Sequence, residues 1–448
     1  MLTAPRPSRA AILATVWPIV LANASTPLLG LADTAVIGRR GSVEELGAIA
    51  LGALVFSFVF WAFGFLRMAT TGFVAQADGA GDEPGLRLAV LRPLVIGGLI
   101  GVALVALQRP IEALALALLD GTPAVETVTA EYIRARIWGA PAALATYALT
   151  GTLIALRLSR RLLALQLVAN GLNIALDVWL AGHLDLGARG VAIGTAVAEW
   201  SGLVCALVMV GAALRRRHAD AAPFVPWRRL LDRAGLGGLL GAQLDIMART
   251  LLLLGGFGWF TNQGARFGDA VLGANHLLLQ LISFSAFVLD GFAFATEALV
   301  GAAKGAGDRG AFDHALRRTT ELAVAAAILL AIALAAFGPL AVDALTDLPV
   351  VRSHAKTWLP HVIAYVAVSV FAFQLDGVFI GATRTRAMRN AALAALLCFL
   401  ALSWVLVPAL GNHGLWLAFI GYVIARGISL AALTPALRRD IGRARVTQ

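Results

Sequence analysis

Two aspartates lie inside stretches of the chain that are otherwise apolar enough to cross a membrane. Asp33 falls in the run from Ala10 to Ile37, and Asp177 falls in a later run that covers residues 162–181. An aspartate at the centre of a membrane helix costs about 2.5–3.5 kcal/mol on insertion scales, so such residues usually serve a function. In so apolar a setting a carboxyl group either ionises at a large cost or retains a proton. Both residues are therefore candidates for binding a proton or another cation.

Further polar residues share a helical face with Asp177. Gln166, Asn170, Asn173 and Asp177 are spaced by four, three and four residues, which places them along one side of a helix. Thr195, in the next apolar run, could donate a hydrogen bond to this group and complete a cluster. The alternative for the asparagines and the glutamine is a structural one, since such side chains commonly hydrogen-bond neighbouring helices in membranes. The sequence leaves both interpretations open.

Two prolines precede Asp33 in the same apolar run. Pro18 and Pro27 each remove an amide donor from the helix, and proline tends to kink a helix where it occurs. The sequence therefore predicts a first helix that can bend close to a titratable group.

The elements that must position these residues are membrane helices. The chain is 59% hydrophobic and 14% charged, whereas soluble proteins average about 25% charged residues. Apolar stretches of about 20 residues recur along the chain, a length that spans a bilayer as a helix. We predict an all-α polytopic membrane protein with twelve spans, at residues 11–37, 46–76, 89–107, 131–156, 162–181, 190–213, 234–260, 271–303, 317–341, 357–382, 389–408 and 414–436.

The basic residues indicate the orientation of these spans. With the N-terminus inside, 24 arginines and lysines fall on cytoplasmic segments and nine fall on the external connections or their flanks. This bias predicts that both termini are cytoplasmic. The net charge of +10 could suggest nucleic acid as a partner, but the charges sit in short connections between apolar runs. We therefore expect a multi-pass protein of the cell inner membrane that binds no nucleic acid.

The two halves of the chain repeat one unit. The segment that begins at Leu46 aligns without gaps with the segment at Leu272, an offset of 226 residues. An even number of spans per copy makes the copies parallel, so we predict two six-helix lobes related by a pseudo-twofold axis along the membrane normal. The predicted domains are an N-terminal lobe (1–214), a basic cytoplasmic linker (215–233) and a C-terminal lobe (234–448). The acidic cluster belongs to the first copy, because Asp33, Asn173 and Asp177 align with Trp259, Phe399 and Ser403.

The second copy carries intramembrane charges of its own. Asp290 and Glu297 lie seven residues apart on one face of the eighth span, and together with Asp376 they could line a second cation pathway. Asp245 and Arg249 are four residues apart and are predicted to neutralise one another.

Four segments resemble the multidrug and toxic compound extrusion (MATE) family in its DinF-like branch. They are the first span with Asp33, FGFLRMATTG at Phe63, AQADGAGD at Ala75 and DGFAFATEAL at Asp290. The resemblance covers essentially the whole chain. It implies a coupling site in the N-terminal lobe formed by Pro18, Asp33, Tyr132, Asn173, Asp177 and Thr195. Arg67 belongs to the signature of the branch, and pairing with an acid across the lobes is one role for it.

This resemblance implies a secondary active antiporter rather than an enzyme. Amphipathic or cationic drug-like compounds would leave the cell in exchange for H⁺ by alternating access, without a cofactor. Na⁺ is the other candidate ion, with Asp33, Asn173, Asp177 and Thr195 as its ligands. We expect the bilayer and small-molecule cargo as partners, and a monomer.

Two other functions are weighed against antiport. A flippase for lipid-linked glycans belongs to the same superfamily, and Arg67 is the main feature in its favour, but flippases tend to have a basic cavity and additional helices. A membrane enzyme or channel would fit less well, because the sequence shows no phosphate loop, nucleophile elbow or metal-ligand cluster.

Overall fold

The computed structural model describes residues 6–40, 42–118, 121–217 and 227–443 of the chain. Every regular element within these residues is a helix. Eleven helical stretches within the described residues are long and apolar enough to cross a membrane. Two of these stretches each join two of the helices named below (α2 with α3, and α6 with α7), and the Arg9–Ser25 part of the first helix is apolar as well. The prediction of an all-helical, multi-pass membrane protein is therefore confirmed.

The first half of the chain contains ten described helices. They are α1 (Arg9–Arg40), α2 (Val43–Ala62), α3 (Phe65–Ala80), α4 (Glu83–Ala106), α5 (Gln108–Leu118), α6 (Pro123–Arg136), α7 (Ala140–Ala155), α8 (Ser159–Asp177), α9 (Gly187–Arg215) and the short α10 (Trp227–Leu230). The second half contains six described helices. They are α11 (Arg233–Ala265), α12 (Asp269–Gly305), α13 (Arg309–Leu345), α14 (Pro349–Gly381), α15 (Thr385–Leu410) and α16 (Asn412–Arg443).

Several spans of the first half are interrupted, whereas α11 to α16 are each continuous. A 3₁₀ turn at Ile137–Gly139 separates α6 from α7, and a π-helical turn at Val178–His183 follows α8. The 3₁₀ turn has a cause in the sequence, because Pro141 near the start of α7 has no N–H group to continue the α-helical hydrogen bonds. The α2 and α3 helices are separated at Phe63 and Gly64.

The duplication is visible in the backbone. Four helices of each half begin 226 residues apart, in the pairs Val43 and Asp269, Glu83 and Arg309, Pro123 and Pro349, and Ser159 and Thr385. The same offset relates the residues with positive φ in the turns, namely Gly81 and Gly307, Arg157 and Thr383, and Asp185 and Gly411. In the first of these turns the following aspartate, Asp82 or Asp308, accepts a hydrogen bond of 2.9 Å from the backbone of the next helix.

The described residues form two compact units. One consists of Leu21–Ala77 and Asp82–Gly238, and is called the N-terminal unit here. The other consists of Met1–Val20, Asp78–Gly81 and Leu239–Gln448, and is called the C-terminal unit. The predicted N-terminal lobe of residues 1–214 and the N-terminal unit differ at residues 1–20, 78–81 and 215–238. The start of α1 packs with the C-terminal unit, where Arg9 donates a hydrogen bond of 2.7 Å to Glu321.

The predicted linker is partly described. Residues 218–226 lie outside the described part of the chain, and α10 follows them. Arg92 of α4 donates hydrogen bonds to the carbonyl oxygens of Arg229 and Leu230, at 2.6 and 3.1 Å. This arginine therefore fixes the end of α10 within the N-terminal unit.

Each unit has its own apolar core. In the N-terminal unit, Tyr132, Ile133 and Val191 belong to a buried cluster that draws on α1, α2, α6 and α9. In the C-terminal unit the core is aromatic, with Phe399, Trp416 and Phe419 all fully buried. Phe399 aligns with Asn173 of the acidic cluster in the first copy. The second copy thus has an aromatic core residue at a position where the first copy has a polar one.

One helix was not anticipated from the sequence. The α5 helix lies in the connection that precedes the fourth predicted span, and its Glu112 accepts a hydrogen bond of 2.8 Å from Arg134 of α6. Hydrogen bonds from Arg134 hold the pKa of Glu112 below its ordinary value.

Candidate functional site

Asp33 of α1 and Asp177 of α8 interact directly, side chain to side chain, within the N-terminal unit. Asp177 is fully buried and Asp33 is partly buried. Two carboxylates this close cannot both stay charged without a cation, so the pair is suited to hold one proton or one positive ion.

Asp177 is the last residue of α8 before the π-helical turn. Single π turns inside α-helices occur frequently at functional sites, because they displace the side chains beside them. The regular α-helix therefore changes to a π-helical turn directly after Asp177, the residue with the buried carboxyl group.

Several oxygens of this cluster lack a donor. Both carboxyl oxygens of Asp177, Oδ1 of Asp33 and Oδ1 of Asn173 are buried and accept no hydrogen bond from a described donor group. Buried polar atoms normally have a partner, and an unmet acceptor costs about 1–3 kcal/mol. The cluster thus offers four acceptor atoms to a proton or a cation.

The other predicted residues of α8 divide between two groups. Asn173 donates a hydrogen bond of 3.1 Å to Thr195 Oγ1 of α9, which itself donates to the Val191 carbonyl oxygen at 2.9 Å. Asn170 instead donates a hydrogen bond of 2.8 Å to Ser25 of α1. Gln166, one turn before Asn170 in α8, is half-buried. Asn173 and Thr195 therefore belong to the cluster with Asp177, whereas Asn170 links α8 to α1.

Tyr132 lies beside the carboxyl pair, within electrostatic reach of Asp33 and Asp177. Its ring is 3% exposed and packs edge to face on Phe56, with the ring centroids 6.4 Å apart. Gly52 of α2 faces the ring so closely that a Cβ there would overlap it. The close approach of α2 thus sets the position of the tyrosine.

Gly194 of α9 makes room for the Asp177 carboxyl group, and its replacement by alanine should impair transport. A Cβ at Gly194 would lie 2.6 Å from Asp177 Oδ1, so the carboxyl group must leave its position beside Gly194. We expect at least a tenfold loss of transport by Gly194→Ala, which is about 1.4 kcal/mol, in a drug-efflux assay with matched protein levels.

Gly211→Ala on the same helix is the matched control for this prediction. A Cβ there meets nothing within 4 Å, and the substitution should leave transport unchanged or add up to about 1 kcal/mol of stability. Equal activity of the two variants would show that the position of Asp177 does not matter for transport.

Arg136 and Glu199 form a buried ion pair that the sequence did not reveal. The guanidinium group of Arg136 donates two hydrogen bonds of 2.7 Å to the Glu199 carboxylate, and the two side chains are 10% and 17% exposed. Arg136 also lies over the Phe56 ring, 5.0 Å from its centroid, and within electrostatic reach of Asp33 and Asp177. The charge count placed Arg136 on the flank of an external connection; in the structure it is the last residue of α6.

Gly139 leaves room for this ion pair, as Gly194 leaves room for the carboxyl group of Asp177. Gly139, in the 3₁₀ turn after Arg136, contacts Glu199 so closely that a Cβ would overlap the carboxylate. Beyond Glu199, the half-buried Tyr147 lies within electrostatic reach of Glu199 and of Arg67 on α3. Ionisable side chains thus continue from the carboxyl pair to Arg67 through the N-terminal unit.

Comparison with known proteins connects this arrangement to a family. The MatE family model matches residues 18–179 and 260–405, which together exceed half of the chain. The chain belongs to the MATE family. Members of this family are transporters and not enzymes.

Individual relatives agree with this assignment. The transporter is 38% identical over 417 residues to DNA damage-inducible protein F of Escherichia coli, which covers 93% of this chain and 90% of the relative. It is 33% identical over 309 residues to a probable multidrug resistance protein NorM of Deinococcus radiodurans, which covers 66% of this chain and 64% of the relative. The predicted resemblance to the DinF-like branch is therefore confirmed.

Solved structures share the fold. The bent form of the Vibrio cholerae MATE transporter VcmN superposes with a TM-score of 0.86 at 21% identity, and the match covers 97% of each chain. An outward-facing MATE transporter superposes with a TM-score of 0.84 at 18% identity, over 99% of this chain and 97% of that chain. The twelve-span, two-lobe organisation is consistent with these matches.

In the C-terminal unit of the transporter, the acidic residue Asp376 is held between two arginines. It contacts Arg249 of α11 directly and lies 3.8 Å from Arg426 of α16. The predicted pairing of Asp245 with Arg249 is wrong, because Asp245 binds Arg389 at 2.7 Å and Thr385 at 3.0 Å instead. Spacing of i and i+4 permits a pair, but both residues face better-placed partners on other helices.

Four further predicted residues of the transporter lie on two helices, α12 and α1. Glu297 of α12 is 1% exposed, and Asp290 on the same helix is half-buried and within electrostatic reach of Arg426. Pro18 is half-buried in α1, which continues through it. Pro27 is within the same helix, and its side chain lies outside those that the structure describes.

Proposed function

We propose that this MATE transporter is a secondary active antiporter that exports drug-like compounds in exchange for protons. The observation that carries the proposal is the direct contact between Asp33 and Asp177 in a buried cluster whose oxygens lack donors. Such a pair binds a single positive charge when it is exposed to one side of the membrane and releases it on the other. This exchange of one charge per cycle is the requirement for a coupling site.

A proton suits this site better than Na⁺. Two carboxyl groups in contact can share one proton without any other ligand. A sodium ion needs several oxygen ligands, and the hydroxyl group of Thr195 already takes part in two hydrogen bonds. Asn173 Oδ1 is the one further oxygen in the cluster without a donor, so Na⁺ stays as the second candidate ion.

Coupling requires that proton and cargo favour different conformations. Protonation of the pair removes the repulsion between the carboxyl groups of α1 and α8, and it lets the two helices approach in a different way. If the cargo prefers the deprotonated form, each ligand weakens the binding of the other by the same factor. We propose amphipathic or cationic compounds as cargo, a class that is consistent with relatives named as multidrug resistance proteins.

The orientation in the membrane belongs to the same proposal. The bias of basic residues favours cytoplasmic termini, in the inner membrane of a bacterium. With this orientation the carboxyl pair lies nearer to the external ends of α1 and α8, as a site loaded with external protons requires. A monomer suffices, because the cluster is built within one chain.

Everted membrane vesicles that contain the transporter and a lumenal pH dye test this function. After acidification of the lumen, addition of a cationic drug should release protons, and the rate should depend on the amount of transporter. An imposed Na⁺ gradient without a proton gradient should give no drug uptake. Uptake driven by Na⁺ alone would replace the proton by sodium, and a lipid flippase would give no response to the drug in either case.

A further inference from the structure

A groove on the surface of the N-terminal unit lies away from the carboxyl pair. Its volume is about 630 Å³, and it is lined only by residues of α6, the 3₁₀ turn and α9. One end carries the charged side chains of Glu131, Arg134 and Arg189, and the rest is apolar. The groove is thus charged at one end and apolar along the rest of its length, which matches the two parts of an amphiphilic molecule.

The apolar part of the groove must be filled by something apolar. Ile193, Val197 and Trp200 line it at steps of three to four residues along α9, so they form one face of a membrane helix. Val197, Trp138 and Trp200 are 44%, 59% and 47% exposed. Within the bilayer the only abundant solvent for such a face is the acyl chain of a lipid.

The length of the groove matches one leaflet. From Arg189 to Trp200 the helix rises about 16 Å at 1.5 Å per residue, close to half of the roughly 30 Å hydrocarbon core. Arg189 lies in the first turn of α9, so the charged end is at the membrane surface. The far end is fixed, since Trp200 Nε1 donates a hydrogen bond of 2.9 Å to the Trp138 carbonyl oxygen.

The charges at the polar end favour an anion. Glu112 accepts hydrogen bonds from Arg134 and lies 3.7 Å from Arg109, and Glu131 lies within electrostatic reach of Arg134. Arg189 is exposed and has no hydrogen-bond or ion-pair partner within the described residues. Among the charged side chains that line the groove, Arg134 and Arg189 face Glu131 alone, which leaves one positive charge for a phosphate group.

We propose that this groove binds an anionic phospholipid, with its phosphate on Arg189 and one acyl chain along the apolar face of α9 between Trp138 and Trp200. The lipid lies against the helices that carry Arg136 and Glu199, so its headgroup and chain stabilise the arrangement of α6 and α9.

Binding of phosphatidylglycerol to the purified full-length transporter tests this proposal, by native mass spectrometry and by thermal unfolding in mild detergent. Arg189→Gln should weaken binding about fivefold, the effect of roughly 1 kcal/mol for one arginine near anionic lipid. Val197→Trp should fill the groove and abolish the stabilisation. Both variants should unfold at the wild-type temperature without lipid, which separates lost binding from lost folding.

Matched controls exist for both variants. Arg266→Gln removes an exposed arginine from the end of α11, and Val204→Trp enlarges an exposed residue seven positions along the same face of α9. Both should bind phosphatidylglycerol like the wild type. The proposal is overturned if Arg189→Gln and Val197→Trp bind it equally well, if the controls lose as much, or if phosphatidylethanolamine or free glycerol phosphate stabilises the protein as strongly.

Discussion

Replacement of Asp33 by asparagine should reduce proton-coupled export to the level of vesicles without the transporter. The amide has nearly the same shape as the carboxyl group but cannot take up and release a proton, so Asp177 loses the partner with which it shares one. We expect the variant to be expressed and to unfold near the wild-type temperature. Asp177→Asn should have the same effect, and the double variant should be no worse, because residues that act as a unit are not additive.

The control for this prediction is Asp347→Asn, which removes a carboxyl group that is fully exposed and pairs with Arg352 at the surface. Its drug resistance and drug-induced proton release should equal those of the wild type. Export by Asp33→Asn at more than a few per cent of the wild-type rate would remove Asp33 from the coupling step.

Arg136→Gln should destabilise the transporter by about 3–5 kcal/mol, the usual cost when one partner of a buried ion pair is removed. The substitution leaves the Glu199 carboxylate buried beside Gly139 without its guanidinium partner. The free energy of unfolding in detergent is the measurement. Arg438→Gln, which breaks an exposed pair with Asp313, should leave the free energy of unfolding nearly unchanged.

A double variant separates the structural role of this pair from a role in transport. Arg136→Met combined with Glu199→Met removes both charges, and replacement of a buried pair by apolar residues is often neutral for stability. If the double variant recovers stability but not transport, the charges themselves are needed beside Asp33 and Asp177. An Arg136→Gln variant as stable as Arg438→Gln would show that the pair is not buried as described.

Helical periodicity explains why much of the candidate site was accessible from the sequence. The spacing of Asn173 and Asp177 fixes them on one side of α8 whatever the neighbours are. Thr195 and Asp33 meet that side in the structure. The functional roles of these residues stay predictions, since geometry alone shows that they meet.

Contacts between helices were predicted less well. Asp245 and Arg249 share a face of α11, but their partners Arg389 and Asp376 come from distant segments that no local spacing reveals. Arg136 was missed because the predicted span begins at residue 131, which puts the arginine near a membrane surface. The helix begins at Pro123, so Arg136 lies more than three turns beyond its start, at the end of α6. The 3₁₀ turn was not predicted, although Pro141 provides a cause for it, and the π turn after Asp177 has no comparable signal.

The interruptions in the first half have a dynamic consequence. At the 3₁₀ turn and the π turn the regular ladder of backbone hydrogen bonds is replaced by fewer or weaker bonds. Amide protons there should exchange with deuterium earlier than those of the continuous α12 and α14. One copy of the duplicated unit can therefore act as a rigid frame, while the other keeps more backbone freedom next to Asp33 and Asp177.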